Sequence, residues 1–189
     1  MLEMSHVSFG YGLKRNILKD FSLSLSDGGR ICLQGASGAG KTTVLRLAMG
    51  LERPRHGTVS LPQGTRISAV FQEDRLLVHK TVLENVVLFG QEETAREILC
   101  KLELGEELNA MPAALSGGQK RRVALARALN HPFDLLILDE ALTGLDEESR
   151  KQCLTAIDTA VGDRCLLMAS HDIRDAEMLR AEIRGVTEC

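Results

Sequence analysis

The nonapeptide Gly35-Ala36-Ser37-Gly38-Ala39-Gly40-Lys41-Thr42-Thr43 leaves the chain few ways to fold. It fits G-x-x-x-x-G-K-[ST], a loop whose backbone wraps phosphate groups. Its flanks supply the setting that such a loop needs. Arg30-Ile31-Cys32-Leu33-Gln34 reads as a short buried strand, and Val44, Leu45, Leu47, Ala48 and Leu51 fall at helical spacing. A glycine-rich turn from strand to helix directs several N–H groups, and the positive end of a helix dipole, at one point. Gly35, Gly38 and Gly40 let the backbone approach an anion with no Cβ in the way. On this pattern Lys41 reaches the outer phosphates of a nucleotide and the Thr42 hydroxyl faces Mg²⁺. A solvated lysine in an ordinary glycine turn would explain the residues singly, but not the strand and helix on either side.

At 189 residues the chain can enclose one sizeable core. Net charge is −3, so nothing global points to nucleic acid or an anionic membrane surface. Aromatic residues are 3% of the chain, with one Tyr and no Trp, which leaves no platform for stacking bases. The five cysteines are odd in number and form no C-x-x-C pair, which favours buried, reduced thiols in a cytosolic protein over a disulfide or zinc framework. The apolar runs are too short to span a bilayer, and Met1-Leu2-Glu3-Met4 opens no signal segment. A soluble, cytosolic chain is expected.

Read in order, residues 2–9 and the alternation of Phe21, Leu23 and Leu25 predict strands. Asp27-Gly28-Gly29 turns into the strand before the phosphate loop, and Thr58–Leu61 and Arg66–Phe71 resume strand character. Thr81-Val82-Leu83-Glu84 is a capping box ahead of a stripe of Val82, Val86, Val87 and Phe89. Further helices are predicted over Glu92–Leu104 and Gly118–Leu129. Then come a strand at Leu135–Leu138, a helix at Glu147–Ala160, a strand at Cys165–Ala169 and a helix at Ile173–Leu179. The expected fold is α/β: a doubly wound, mostly parallel sheet with an N-terminal antiparallel β part and an inserted helical subdomain. The expected division is one domain, with 1–72 and 123–189 as the nucleotide-binding core and 73–122 as the insert.

Two further motifs carry chemistry. The apolar strand Leu135–Leu138 ends in Asp139 and Glu140, and ligands of open α/β sheets bind outside the carboxyl ends of strands. Asp139 is therefore expected to hold Mg²⁺, and Glu140 to orient or deprotonate an attacking water. Leu115-Ser116-Gly117-Gly118-Gln119 opens the next helix and forms a second anion-binding N-terminus in the same chain. One such site holds a triphosphate, so the other needs a phosphate of its own. Lys120, Arg121, Arg122 and Arg127 come next on that helix; such a run could touch nucleic acid, but four charges on a helix more often form a solvated face, which is the expectation here.

In order and spacing, Gly35–Thr43, Gln72, Leu115–Gln119, Leu135–Glu140, Leu145-Asp146 and His171 resemble an ABC-type ATPase, a P-loop NTPase, over nearly the whole chain. The resemblance implies that ATP and Mg²⁺ are bound and that ATP is hydrolysed. It implies that Tyr11 stacks on adenine, and that Gln72 senses the metal and the attacking water. By the same likeness Ser116, Gly117, Gly118 and Gln119 close over the γ-phosphate held by a partner subunit. Asp146 lies at the dimer interface, and His171 contacts the γ-phosphate. The segments Val70–Leu77 and Thr81–Val86 are similar to bacterial nitrate-, sulfonate- and taurine-type importers, which usually have Pro-Trp where Val78-His79 stands here.

The likeness implies a motor that pairs with a second copy, or with another ATPase subunit, in the ATP-bound state. It would work on transmembrane permease subunits, with a solute-binding protein where import is the direction. It would sit peripherally on the cytoplasmic face of the inner membrane, with no nucleic-acid partner. The contrasting class is a soluble ABC ATPase acting on DNA or ribosomes. DNA-repair members need long coiled-coil arms and ribosome-acting members usually carry two cassettes. A P-loop kinase or GTPase leaves Leu115–Gln119 unexplained. Only eighteen residues come after His171, so no C-terminal regulatory domain is expected and the last core elements are expected to be trimmed.

Overall fold

A computed structural model describes residues 1–12 and 16–186. Two sheets carry the chain. Strands β1 (Leu2–Phe9), β2 (Leu18–Leu25) and β4 (His56–Ser60) form an antiparallel sheet in the order β2-β1-β4. Strands β3 (Arg30–Gln34), β5 (Ile67–Val70), β6 (Leu135–Asp139), β7 (Cys165–Ala169) and β8 (Glu182–Gly185) form a parallel sheet in the order β5-β6-β7-β3-β8.

The inner strands of the parallel sheet read as unbroken apolar runs because both faces are covered. Side chains alternate across a strand, so each run divides between two cores. Leu135 and Ile137 of β6, Cys165 and Leu167 of β7, and Ile31 and Leu33 of β3 pack on one side. That side is shared with the antiparallel sheet and helix α1 (Lys41–Ala48). Leu136 and Leu138, Leu166 and Met168, and Cys32 pack on the other. There they meet α2 (Val82–Val87), α3 (Glu92–Lys101), α4 (Gly117–Asn130), α5 (Glu147–Val161) and α6 (Ile173–Met178). Each fully buried Leu contributes about 1.5–3 kcal/mol, and both faces of the sheet are lined with them.

The helical insert is tied down by polar side chains as well as by its core. Thr81 and Glu84 form the reciprocal capping box at the start of α2. Asn85, wholly buried, accepts from the Leu77 N–H at 2.8 Å and donates to the carbonyls of Leu77, Lys80 and Thr81. One amide thus organises the whole loop 77–81.

Several expectations are corrected. The stretch after His171 still supplies a sheet strand: β8 pairs with β3 at the sheet edge, and the Val186 N–H continues the ladder to the Gln34 carbonyl at 2.7 Å. β8 is short, and all four of its residues are exposed, so it has no apolar alternation to reveal it. Cys100 is exposed, unlike the buried thiols expected. Leu51 and Phe89, placed by periodicity on buried helical stripes, lie beyond the ends of α1 and α2 and are 57% and 68% exposed. Helix α4 is continuous across residues 122 and 123, so the insert and the core of the expected division share this helix. The basic residues of α4 do not form a solvated face. Arg121 and Arg122 side chains are each only 12% exposed, and they and Arg127 donate to loop carbonyls.

The Asn85→Ala variant is expected to lose about 1–3 kcal/mol, since it strands buried backbone groups of loop 77–81. Thermal melting should show a Tm several degrees below that of the parent chain.

Candidate functional site

The parallel pairing brings the carboxyl ends of β5, β6, β7 and β3 side by side. The residues that leave those ends are Gln72 after β5, Glu140 after β6, His171 after β7 and the phosphate loop after β3. Gln72, Glu140 and His171 line one cavity of about 320 Å³ together with Ser37, Gly38, Lys41 and Thr42. Residues far apart in sequence thus share one hollow at the sheet edge predicted to bind ligand.

The loop geometry requires glycine at two points. Gly40 caps α1 at φ 101°, a left-handed conformation. A Cβ at Gly35 would stand 2.3 Å from the Val186 carbonyl oxygen, because β8 and the residue after it press against the loop. Lys41 is buried, and its Nζ donates to the carbonyls of Gly35 at 2.8 Å and Ala36 at 3.0 Å. The ammonium is therefore held at the centre of the loop. The last strand, which sequence periodicity misses, is what supports the loop from behind.

Asp139 shares the side-chain parity of Leu135 and Ile137, so it points to the α1 side of the sheet. There Thr42 Oγ1 donates to its Oδ1 at 3.1 Å. In register between Asp139 and Leu33 lies Ala169, whose methyl group leaves room for that contact. Asp139 is 4% exposed, and burial pushes its carboxyl above the usual range, opposed by the Thr42 hydrogen bond. A buried carboxylate and a hydroxyl on facing elements are hard oxygen donors. They suit Mg²⁺, which takes one or two protein oxygens and fills its shell with phosphate and water.

Glu140 breaks the strand pattern. Its φ is +50°, a conformation that costs a non-glycine residue of order 1–3 kcal/mol. The turn is held by the Glu140 N–H donating to the Ala169 carbonyl at 3.0 Å. It aims the carboxylate at His171, with Oε1 and Nε2 2.7 Å apart. The Glu140 side chain is 18% exposed and that of His171 is 53% exposed. The carboxylate is therefore sheltered but reachable from the cavity.

The remaining predicted residues stand elsewhere. Tyr11 is exposed and does not line the cavity; it stands edge-on to Phe9 with ring centroids 5.0 Å apart. Arg46 of α1 approaches its hydroxyl at 3.4 Å. Ile17 lines the cavity too, with no sequence motif to mark it. Ser116 caps α4: its Oγ accepts from the Gln119 N–H, and Gln119 Oε1 accepts from the Ser116 N–H. A Cβ added at Gly117 would meet nothing within 4 Å, and at Gly118 only Leu145 at 3.6 Å. The glycines are therefore not demanded by this chain's own packing. Asp146 caps α5, accepting from the Ser149 N–H at 2.9 Å and from its hydroxyl, which lowers the Asp146 pKa. Leu145 brings this cap beside the start of α4, and neither helix start lines the cavity.

Sequence reasoning also missed how Gln72 is held. Arg121 donates to the Phe71 carbonyl at 2.8 Å and to the Gln72 carbonyl at 2.5 Å, and pairs with Asp74 at 3.2 Å. Arg127 donates to the carbonyls of Arg75 and Asp74. Helix α4 thus begins at Ser116–Gln119 and grips the Gln72 loop with later turns. The signal was present as arginine rather than lysine, the side chain suited to forked, half-buried donation.

A glycine loop between strand and helix, a buried carboxylate facing its Thr and a second carboxylate at the cavity wall define a nucleotide-binding protein of the P-loop class. The family model described as "ABC transporter" matches residues 18–143, more than half of the chain. The chain belongs to the ABC transporter family. It is 41% identical over 179 residues to the aliphatic sulfonates import ATP-binding protein SsuB 1 of Shouchella clausii (strain KSM-K16), covering 92% of this chain and 71% of that one. SsuB of Granulibacter bethesdensis (strain ATCC BAA-1260 / CGDNIH1) is 40% identical over 184 residues, covering 94% and 75%. A solved structure described as the dimeric post-hydrolysis state of the ATP-binding cassette MJ0796 bound to ADP and Pi is similar throughout. It has a TM-score of 0.88 at 26% identity, covering 99% of this chain and 94% of that one.

Because the pKa of Asp139 is higher in the folded chain than its ordinary value, its charge costs stability as pH rises past that ordinary range. Asp139→Asn keeps an acceptor for Thr42 and removes the charge. At pH 7 without nucleotide it should melt a few degrees higher than the parent by differential scanning calorimetry.

Proposed function

We propose that this chain is the ATP-hydrolysing subunit of an ABC importer, in which nucleotide-driven dimer closure and hydrolysis-driven opening move a membrane partner. The observation that carries the reading is the shared cavity of Lys41, Thr42, Gln72, Glu140 and His171, with Ser116–Gln119 of the same chain facing outward elsewhere. A cavity that grips a triphosphate from one side, and a separate exposed helix N-terminus, complement each other when two copies meet head to tail.

In this reading the phosphate-loop N–H groups and Lys41 bind the β- and γ-phosphates, and Tyr11 packs on the base. Thr42 and Asp139 hold Mg²⁺, with Gln72 completing the set. Mg²⁺ held by these residues would supply neutralisation of the charge that develops on the phosphate oxygens. Glu140 takes the proton of the attacking water, while His171, 2.7 Å away, steadies the carboxylate and the γ-phosphate. Ser116, Gly117, Gly118 and Gln119 of a second copy cover the γ-phosphate, and Asp146 lies at the seam between copies. Chemistry then removes the contacts that favour the closed pair.

Residues 73–122 act as the moving subdomain against a core of 1–72 and 123–189. Its link to the site is Arg121 on the carbonyls of Phe71 and Gln72. Val78, 75% exposed, and Phe89, 68% exposed, support docking of this subdomain on a permease. No helix among the described residues is long and apolar enough to cross a membrane. The chain is accordingly read as a peripheral subunit on the cytoplasmic face, working with transmembrane permease subunits and a solute-binding protein. The function for which its relatives are named, import of aliphatic sulfonates, supports import as the direction.

Glu140→Gln should bind ATP normally and cut turnover by about 10²–10⁴-fold, so that a dimer accumulates in Mg-ATP. Size-exclusion chromatography showing only monomer, with hydrolysis unchanged, would overturn both the base and the closure. Lys41→Ala is expected to lose nucleotide binding by calorimetry, and retained affinity would break the phosphate-loop assignment.

A further inference from the structure

Beneath His171 lies a charge network that the hydrolysis scheme does not use. Asp175, 1% exposed, takes both arms of Arg150: Nε donates to Oδ1 at 2.8 Å and Nη2 to Oδ2 at 2.7 Å. Asp175 Oδ2 also accepts from the Ser170 hydroxyl at 2.5 Å. The same hydroxyl oxygen accepts from the Asp172 N–H at 3.1 Å. One side chain therefore spans the turn whose middle residue is His171. Through Asp175 it is fastened to α5.

Two facts argue that this network serves geometry more than stability. Exchanging a buried ion pair for apolar residues is often neutral or stabilising, so the pair is weak as a source of fold stability alone. What a forked arginine–carboxylate pair supplies is fixed geometry. His171 also needs such support. Its ring is half exposed, and a cavity of about 470 Å³ opens behind it and Glu140, floored by Arg150 and Asp175. With few packing partners, the imidazole depends on its backbone for direction.

We infer that Ser170, Asp175 and Arg150 are positioning residues that aim His171 at Glu140 and the reacting phosphate. The inference rests on the reading of His171 given above. Arg150 stands one turn along α5 from Asp146, and its N–H donates to the Asp146 carbonyl at 2.9 Å. The aim of His171 is thereby referred to the same helix end that faces the second copy.

The test is steady-state ATP hydrolysis by the full chain, with nucleotide affinity and Tm measured on each variant. Ser170→Ala should lower kcat on the order of tenfold or more, with ATP affinity retained, and Ser170→Thr should restore the rate because its hydroxyl remains. Asp175→Asn is a second variant expected to act in the same sense. In a His171→Ala background, Ser170→Ala should add less than about twofold, since there is no imidazole left to aim. An unchanged kcat in Ser170→Ala, or an equal loss in both backgrounds, would overturn the inference while leaving the role of His171 intact. A lowered Tm with unchanged kcat would show a structural contact and overturn it too. If His171→Ala itself hydrolyses ATP at the parent rate, the reading of His171 fails first and the inference falls with it.

Discussion

Parallel pairing of β6, β7 and β3 is the constraint on which the rest depends. It sends every strand's carboxyl end to one edge, so residues far apart in sequence meet without any loop having to reach for them. It also demands that both faces be covered, which is why each apolar run serves two cores. The same alternation decides chemistry at the strand ends. Asp139 keeps parity with Ile137 and meets Thr42 on the α1 side. Glu140 would fall on the opposite side, and its left-handed backbone redirects it to His171. Strain at one residue separates a carboxylate that meets Thr42 from one that meets His171.

The arginines of α4 extend the site beyond the cavity. Arg121 and Arg127 hold the carbonyls just after β5, and the same helix starts at the exposed Ser116–Gln119 cap. One continuous helix thus connects that cap to the backbone of Gln72. On the other side, α5 starts at Asp146 and carries Arg150 to the His171 turn. Two helices whose starts share one surface thus reach two different walls of the cavity. This arrangement fits a nucleotide site whose assembly is felt by a partner.

Much of this was legible in the residues. The strand–glycine loop–helix pattern, the apolar runs and the Thr81 cap are local signals, and each stands where periodicity and capping chemistry place it. The failures were also local in origin. β8 has no apolar alternation because it is an exposed edge strand, and Leu51 and Phe89 obey a helical period past the point where the helix ends. Arg121, Arg122 and Arg127 looked like a solvated face because charge says nothing about which carbonyls lie opposite.

By itself, then, the sequence determined that a phosphate-binding loop joins a buried strand to a helix. It also determined that carboxylates end another buried strand, and that a second helix opens on glycines with no charge of its own to offer. These features rest on spacing and side-chain type within a few residues. Only the tertiary structure decided that Val186 backs Gly35, that Asp139 meets Thr42, that Glu140 turns to His171, and that Arg150 and Asp175 stand beneath that histidine. Each of those contacts depends on strand order and on which face a side chain takes, and neither is encoded in any one stretch of chain.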